Sequence, residues 1–189
     1  MHSTSVRRAL YVLFGRLFAG GLTAALYQRV REGGLEDLAR AQSVDLFSDL
    51  LDPSDPESSS VELGAEYARL SEQVSLRASD YSNTTEDPVV ALEAYLREHE
   101  LSVSGEVELP TDHLALVLGV MGELAEREEQ GRDDDATAHA AAFFLRHLHP
   151  WAPRALTEVS AAADRRFYRG LSIMLSAFLA AERQRYQGA

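Results

Sequence analysis

The stretch "ELPTDHLALVLGVMGEL", residues 108–124, decides the fold. Its apolar residues recur every three or four positions, a spacing that places them on one face of an α-helix. They are Leu114, Val117, Leu118, Met121 and Leu124. A Pro-Thr-Asp-His segment precedes them, so two polar side chains, Asp112 and His113, stand at the start of a helix whose face is built for burial.

The same period continues over almost the whole chain, and alternating β-branched runs are missing. This predicts an all-α fold of seven or more helices in a single domain, residues 1–189, with a loop at about 52–60. The predicted helices cover 5–31 (with a break near Gly20-Gly21), part of 33–51, 61–78, 88–98, 112 onward, 131–148, 153–162 and 164–185. "SVSGEVELP", residues 102–110, is predicted to be a connection.

Composition excludes several classes of protein. The 189 residues contain no cysteine, which excludes disulfides and thiolate chemistry. The net charge of -12 repels nucleic acid but can attract a basic peptide. The longest late apolar run, "LSIMLSAFLAA" at 171–181, is too short to span a bilayer.

The amino terminus has two possible interpretations. Arg7 and Arg8 precede an apolar run, as in an export signal. Arg16 interrupts that run, however, and the apolar residues recur at helical spacing. These residues are Leu10, Leu13, Phe14, Leu17 and Phe18. The pattern therefore favours an ordinary buried first helix.

Asp112 and His113 allow two interpretations. Thr111 or Asp112 can cap the helix by accepting its free amide protons. That role leaves His113 unexplained, since a cationic imidazole is unfavourable at a helix amino terminus. Alternatively, Asp112 accepts from a guanidinium or amide of a ligand, and His113 offers a donor and an acceptor beside it. The residues alone leave both possibilities open.

Signals for catalysis are weak. The candidate metal ligands are His113, His139, His147, His149 and Asp133–Asp135, but no histidine pair has the i, i+4 spacing of a helical zinc site. No serine lies in a nucleophile-elbow context, and glycine-rich phosphate loops are absent. A small metal-dependent hydrolase that uses His113 and Asp133–Asp135 is the distant alternative. Arg165, Arg166 and Arg169 form a basic patch, expected to be solvated or ion-paired.

Four segments in order carry a family resemblance: "ELPTDHL" (108–114), "MGEL" (121–124), "FFLRHLHPW" (143–151) and "FYRGL" (167–171). Together they resemble the TorD/DmsD family of redox-enzyme maturation chaperones, which is related to the nitrate reductase delta-subunit assembly factors. "EYARL" (66–70) and "SDY" (79–81) are similar to two further family segments, although Ser71 stands where an aromatic is usual.

The resemblance implies an all-helical TorD-like chaperone with no catalysis and no cofactor of its own. Such a protein is cytoplasmic and binds the precursor of a molybdoenzyme catalytic subunit, often through its twin-arginine signal peptide, until molybdopterin has been inserted. The alternative within the family is a delta-type assembly factor whose client is not exported. Neither nucleic acid nor membrane insertion is expected, and both a monomer and a homodimer stay possible.

The resemblance also implies which residues bind the peptide. They are Pro110, Asp112 and His113, with Leu109 beside them, and we add Tyr67, Tyr81 and Trp151 as further candidate peptide-binding residues. We hypothesise that Asp112 receives an arginine of the client and that His113 orients this contact. Trp151 has a second interpretation, because a lone tryptophan after a helix break is most often a core aromatic whose indole proton meets a carbonyl.

Overall fold

The computed structural model describes residues 4–20, 22–82, 85–101, 108–131 and 135–188. Within these ranges the chain forms nine α-helices and no strand. They are α1 Thr4–Phe18, α2 Ala24–Glu32, α3 Leu35–Ala41, α4 Pro56–Gln73, α5 Pro88–Glu98, α6 Leu114–Gln130, α7 Ala136–Phe143, α8 Ala152–Ala162 and α9 Arg166–Gln187. The prediction of an all-α fold is confirmed.

The first predicted helix is two helices. Helix α1 ends at Phe18 and α2 begins at Ala24, where the Thr23 side chain accepts from the Leu26 amide. Gly20 has a φ of +93°, a conformation that side chains with a Cβ rarely adopt. The break therefore lies where the glycines predicted it. Gly21 itself lies outside the described residues.

The predicted loop at 52–60 is too long, because α4 begins at Pro56. The Asp55 carboxylate accepts from the Glu57 amide, and Pro56 occupies the first helical turn, where its missing amide proton costs nothing. The helix also ends earlier than expected, at Gln73, and a short 3-10 turn at Ala78–Asp80 follows it.

The helix predicted at 131–148 is an α-helix in its first part and a π-helix in its last five residues. Residues 132–134 lie outside the described part of the chain, and α7 runs only to Phe143. Phe144–Leu148 then forms a π-helix, in which the His149 amide donates to the Phe144 carbonyl at 2.8 Å. Such wide turns are rare and occur often at functional sites. The predicted connection at 102–107 is also outside the described residues.

The chain divides into two compact units, each made of separate stretches of sequence. The first contains residues 1–19, 76–153 and 181–189, and the second contains 20–75 and 154–180. A one-domain organisation for residues 1–189 stays a prediction.

In the first unit, α1 packs along α6. A Cβ added to Gly15 would lie 3.1 Å from the Ala115 carbonyl, and one added to Gly122 would lie 3.1 Å from the Val12 side chain, so both glycines permit a close approach. The Arg7 guanidinium is 2% exposed and donates to Glu182 and Glu128. Arg7 of the export-like pair is thus an internal ion-pair partner, as expected for a buried first helix.

In the second unit, three aromatic rings pack in a row, and a glutamate far away in the sequence caps the start of α9. The rings of Tyr27, Phe47 and Phe167 follow one another at centroid distances of 5.6 and 5.8 Å. The buried Glu66 carboxylate accepts from the amides of Asp164 and Arg165, at the start of α9. Glu66 of "EYARL" therefore stabilises the helix that carries "FYRGL".

No helix in the described ranges is long and apolar enough to cross a membrane.

Candidate peptide-binding site

The Pro-Thr-Asp-His turn is joined to the segment that follows α4. Arg77 and His113 form an isolated antiparallel β-bridge. The Ala78 amide donates to the Asp112 carbonyl at 3.1 Å, and the Leu114 amide donates to the Leu76 carbonyl at 2.8 Å. These contacts join residues 76–80 to residues 110–114, and we call the two segments together the PDH junction.

Asp112 is the internal anchor of the PDH junction. Its side chain is fully buried, with Oδ1 3.1 Å from Arg77 Nε and Oδ2 2.9 Å from the Ser79 amide nitrogen. Burial raises the pKa of a carboxyl, but here the hydrogen bonds from Ser79 and Arg77 outweigh it and hold the pKa of Asp112 below its usual value. Asp112 is therefore ionised, and the protein itself already supplies its donors.

His113, and not Thr111 or Asp112, caps helix α6. Its Nδ1 accepts from the Ala115 amide at 3.2 Å, and its backbone has the extended conformation of an N-cap residue. Burial, against the opposing charge of Asp112, lowers the pKa of His113 to about 4. The imidazole is thus neutral at pH 7, which removes the conflict between a cationic side chain and the helix dipole.

Tyr81 and Trp151 meet in the same unit. Their rings stack with centroids 6.1 Å apart and an interplanar angle of 22°. Both side chains are buried, and the Trp151 indole Nε1 donates to the His147 carbonyl at 2.7 Å. The core interpretation of Trp151, with its indole proton on a carbonyl, describes this geometry.

The remaining predicted site residues differ in exposure and location. Leu109, just before the PDH junction in the sequence, is half-buried, and Pro110, at its first position, is exposed. Tyr67 belongs to the second unit, where its half-buried ring lies 5.7 Å from that of Tyr168. Leu109, Pro110, Asp112, His113, Tyr81 and Trp151 therefore share the first compact unit, and Tyr67 belongs to the second.

Sequence reasoning missed the partners of these residues. Arg77 and Ser79 satisfy Asp112 from 35 and 33 positions away. His147 lies in the π-helix, and its buried Nε2 has no hydrogen-bond partner in the described ranges. Its neighbour Arg146 donates through Nη2 to both oxygens of Glu86 at 3.0 Å. The segment "FFLRHLHPW" marked this region in the sequence. Its apolar period did not indicate which of these side chains is paired and which is buried.

The alternative of a metal-dependent hydrolase finds no support in the part of the chain that is described. There, no three His, Asp or Glu side chains are grouped so that they could hold a metal ion. His113 uses Nδ1 to cap α6, and Asp133 and Asp134 lie outside the described residues. The arginine patch is ion-paired where the contacts are known, with Arg165 on Glu62 and Arg166 on Asp45.

The described part of the chain is all-helical, with the PDH junction at the start of α6. Residues 35–157, more than half of the chain, match the family model described as nitrate reductase delta subunit, and the chain belongs to this family. The family assembles molybdoenzymes and is not a family of catalysts. No curated protein matches the chain.

Proposed function

We propose that this protein is a cytoplasmic chaperone for the precursor of a molybdoenzyme catalytic subunit. It recognises the twin-arginine signal peptide of its client and holds the subunit while molybdopterin is inserted, before export. The observation that carries the proposal is the family match over residues 35–157, which contains the PDH junction and the π-helix.

The charge of the chain supports a basic, extended client segment. A net charge of -12 speeds the encounter with a peptide led by two arginines, and it disfavours acidic partners. The apolar part of such a peptide then supplies most of the affinity through contacts in a groove or on an exposed face. In the first unit, the exposed Pro110 and the half-buried Leu109 are predicted site residues that offer apolar surface.

Asp112 and His113 enter the proposal as positioning residues. The Asp112 carboxylate holds residues 77–79 against the turn, and His113 fixes the start of α6. They fix the turn that begins at Pro110, whose carbonyl accepts from the His113 amide at 2.9 Å. A direct contact between Asp112 and an arginine of the client would require that arginine to replace Arg77. Breaking the pair of a buried carboxylate costs free energy, so we favour the positioning role.

A second candidate function is a delta-type assembly factor whose client is not exported. The description of the matched family, nitrate reductase delta subunit, favours this alternative. Both candidates bind a molybdoenzyme catalytic subunit, and they differ in the part of that subunit that is recognised.

The test begins with capture of the client from the native host and identification of the bound chains by mass spectrometry. Calorimetric titrations then use three ligands: the leader peptide of the captured subunit, the whole precursor, and the precursor without its leader. Binding of the leader alone supports the signal-peptide chaperone. Binding only to the subunit, with or without a leader, supports the delta-type factor. Absence of a molybdoenzyme among the captured chains would overturn both.

A further inference from the structure

Every basic side chain of this protein is an arginine. The sequence carries 30 acidic and 18 basic residues, and none of the basic residues is a lysine. Its net charge of -12 is larger in magnitude than the value of about 2–8 that is enough to keep a small domain soluble. Solubility alone therefore does not account for the acidic excess, and the positions of the charges in the fold need a separate explanation.

The ion pairs that hold the two compact units are buried at their carboxylates. In the first unit, the side chains of Arg7 and Glu182 are 2% and 6% exposed. Glu182 also accepts from the Tyr11 hydroxyl, so protein donors surround its charge. In the second unit, the carboxylate of the Glu66–Arg69 pair is 6% exposed. Dissolved ions screen such buried pairs much less than exposed ones, so added salt should leave these attractions largely intact.

The excess carboxylates are exposed instead. At the start of α4, Asp52, Asp55 and Glu57 lie close together in the sequence, and all three residues are exposed. The contacts described for the Asp52 and Asp55 carboxylates come from Ser54 and from backbone amides, not from an arginine. Exposed like charges repel one another, and salt screens this repulsion.

In the described part of the chain, four helices carry an exposed glutamate in their last turn. These helices are α2, α4, α5 and α6, and the residues are Glu32, Glu72, Glu98 and Glu129. The carboxyl end of a helix carries a partial negative charge, so a carboxylate there is destabilising until salt screens it. An arginine shares the last turn of α2, α5 and α6, but no basic residue does so in α4.

We propose that this protein is built to fold in concentrated monovalent salt, which stabilises it by screening the exposed carboxylates. Charges act on one another over about 10 Å in 0.1 M salt and over about 3 Å in 1 M salt. Salt therefore weakens mainly the exposed repulsion, because burial protects the attractive pairs. Such a dependence would hold whichever client the protein binds, so the proposal is independent of the proposed function.

The experiment measures the melting temperature of the full chain from about 0.1 M to about 2 M potassium chloride. We expect a rise of about 5 °C or more, since screening reduces the self-repulsion of the acidic surface. Sodium chloride should give the same rise at equal concentration, because screening depends on ionic strength and not on the cation.

A first variant combines Glu72→Gln, Glu98→Gln and Glu129→Gln. It removes three exposed negative charges from helix ends and keeps side chains of similar size. Its melting temperature in dilute salt should be higher than that of the unmodified chain, and its rise with salt should be smaller by about 2 °C or more.

The matched control variant combines Arg16→Gln, Arg29→Gln and Arg97→Gln. These arginines are also exposed and lie in the last turns of α1, α2 and α5, so the location is alike and the charge change is opposite. Its rise with salt should be larger than that of the unmodified chain. A control variant that folds only in concentrated salt would be the same result in a stronger form.

Three results would overturn the proposal. An equal rise in all three proteins would show that salt acts by strengthening apolar burial and not by screening charge. A melting temperature of the unmodified chain that stays constant or falls with salt would show that repulsion does not limit its stability. A rise in only one of the two chlorides would indicate a specific ion site. The capture of a molybdoenzyme subunit, which tests the proposed function, is unaffected by any of these results.

Discussion

Two regions of the first unit each combine a carboxylate with a histidine, and they use them in opposite ways. At the PDH junction, Asp112 is fully buried and accepts from Arg77 and Ser79, while His113 Nδ1 accepts from a helix amide. Beside the π-helix, the carboxylate of Glu86 is more than half exposed, and His147 Nε2 has no hydrogen-bond partner among the described residues.

The two regions differ in how much their polar groups should contribute to the stability of the fold. A buried group whose hydrogen bonds are all made within the fold can bind a partner only if it gives up one of those bonds. This lowers the free energy of unfolding, because a buried charge without a partner is strongly destabilising. The Glu86–Arg146 ion pair beside the π-helix is exposed on both sides, so it should contribute little to stability. Residues that carry a family motif can therefore belong to either kind, and burial with partner geometry distinguishes them.

The largest expected effect of a substitution at pH 7 comes from Asp112→Ala. The change removes two hydrogen bonds to the carboxylate and leaves the Ser79 amide unsatisfied, so the free energy of unfolding should fall by about 2–3 kcal/mol. Chemical denaturation measures this loss. Asp112→Asn, which keeps one acceptor oxygen, should lose less. A loss below about 0.5 kcal/mol, together with weakened peptide binding, would return Asp112 to direct contact with the client.

The next effect is a dependence of stability on pH that both histidines share. Their pKa values in the folded protein are about 4, against 6.5 for an unperturbed histidine. As the pH falls below 6.5 the unfolded chain takes up protons that the folded chain refuses, so stability decreases from pH 6.5 toward pH 4. Each histidine contributes up to about 3 kcal/mol of this loss.

Two variants divide that dependence between the regions. His113→Asn retains a capping side chain without a titrating ring, and His147→Phe retains an aromatic side chain without one. Denaturation at a series of pH values should show that each variant removes part of the slope. At pH 7, His147→Phe should keep its stability, because no hydrogen bond of Nε2 is lost. A slope unchanged in both variants would contradict the neutral, buried state of the rings.

Trp151→Phe tests the support that connects the two regions. The change keeps an aromatic ring against Tyr81 but removes the indole donor to the His147 carbonyl. Loss of one buried hydrogen bond predicts a decrease of about 1 kcal/mol in the free energy of unfolding. Thermal denaturation checks it, with Tyr81→Phe as the control that alters the stacked pair without touching this donor. An unaffected Trp151→Phe protein would mean that the indole bond does not hold the π-helix.

The fold was predictable from the sequence where local signals agree. Helix α5 begins at Pro88 and ends at Glu98, as the apolar period and the proline at its first turn predicted. The same Asp-Pro signal begins α4 at Pro56, but it was missed because the surrounding serines suggested a loop. The all-α fold needed only the period, which is a property of neighbouring residues.

The site was predictable only in part, since its partners are distant in the sequence. The Pro-Thr-Asp-His segment marked a junction, yet nothing local could pair Asp112 with Arg77, which is 35 positions away. The hydrogen bonds of a π-helix span one residue more than those of an α-helix. The spacing of apolar residues is too coarse to distinguish the two. Tyr67 was grouped with the other site residues by resemblance, and it lies in the second unit.

The smallest expected effect on stability is at Glu86. Because the pair with Arg146 is exposed on both sides, Glu86→Gln or Arg146→Gln should change the free energy of unfolding by less than about 0.5 kcal/mol. Addition of salt should leave even that difference unmeasurable, since exposed charges are screened. This near-absence of effect is the sharpest contrast with Asp112, a carboxylate in the same unit that also contacts an arginine. A loss comparable to that of Asp112→Ala would show that the Glu86–Arg146 pair builds the fold. In that case the energetic distinction between the buried Asp112 and the exposed Glu86 would not hold.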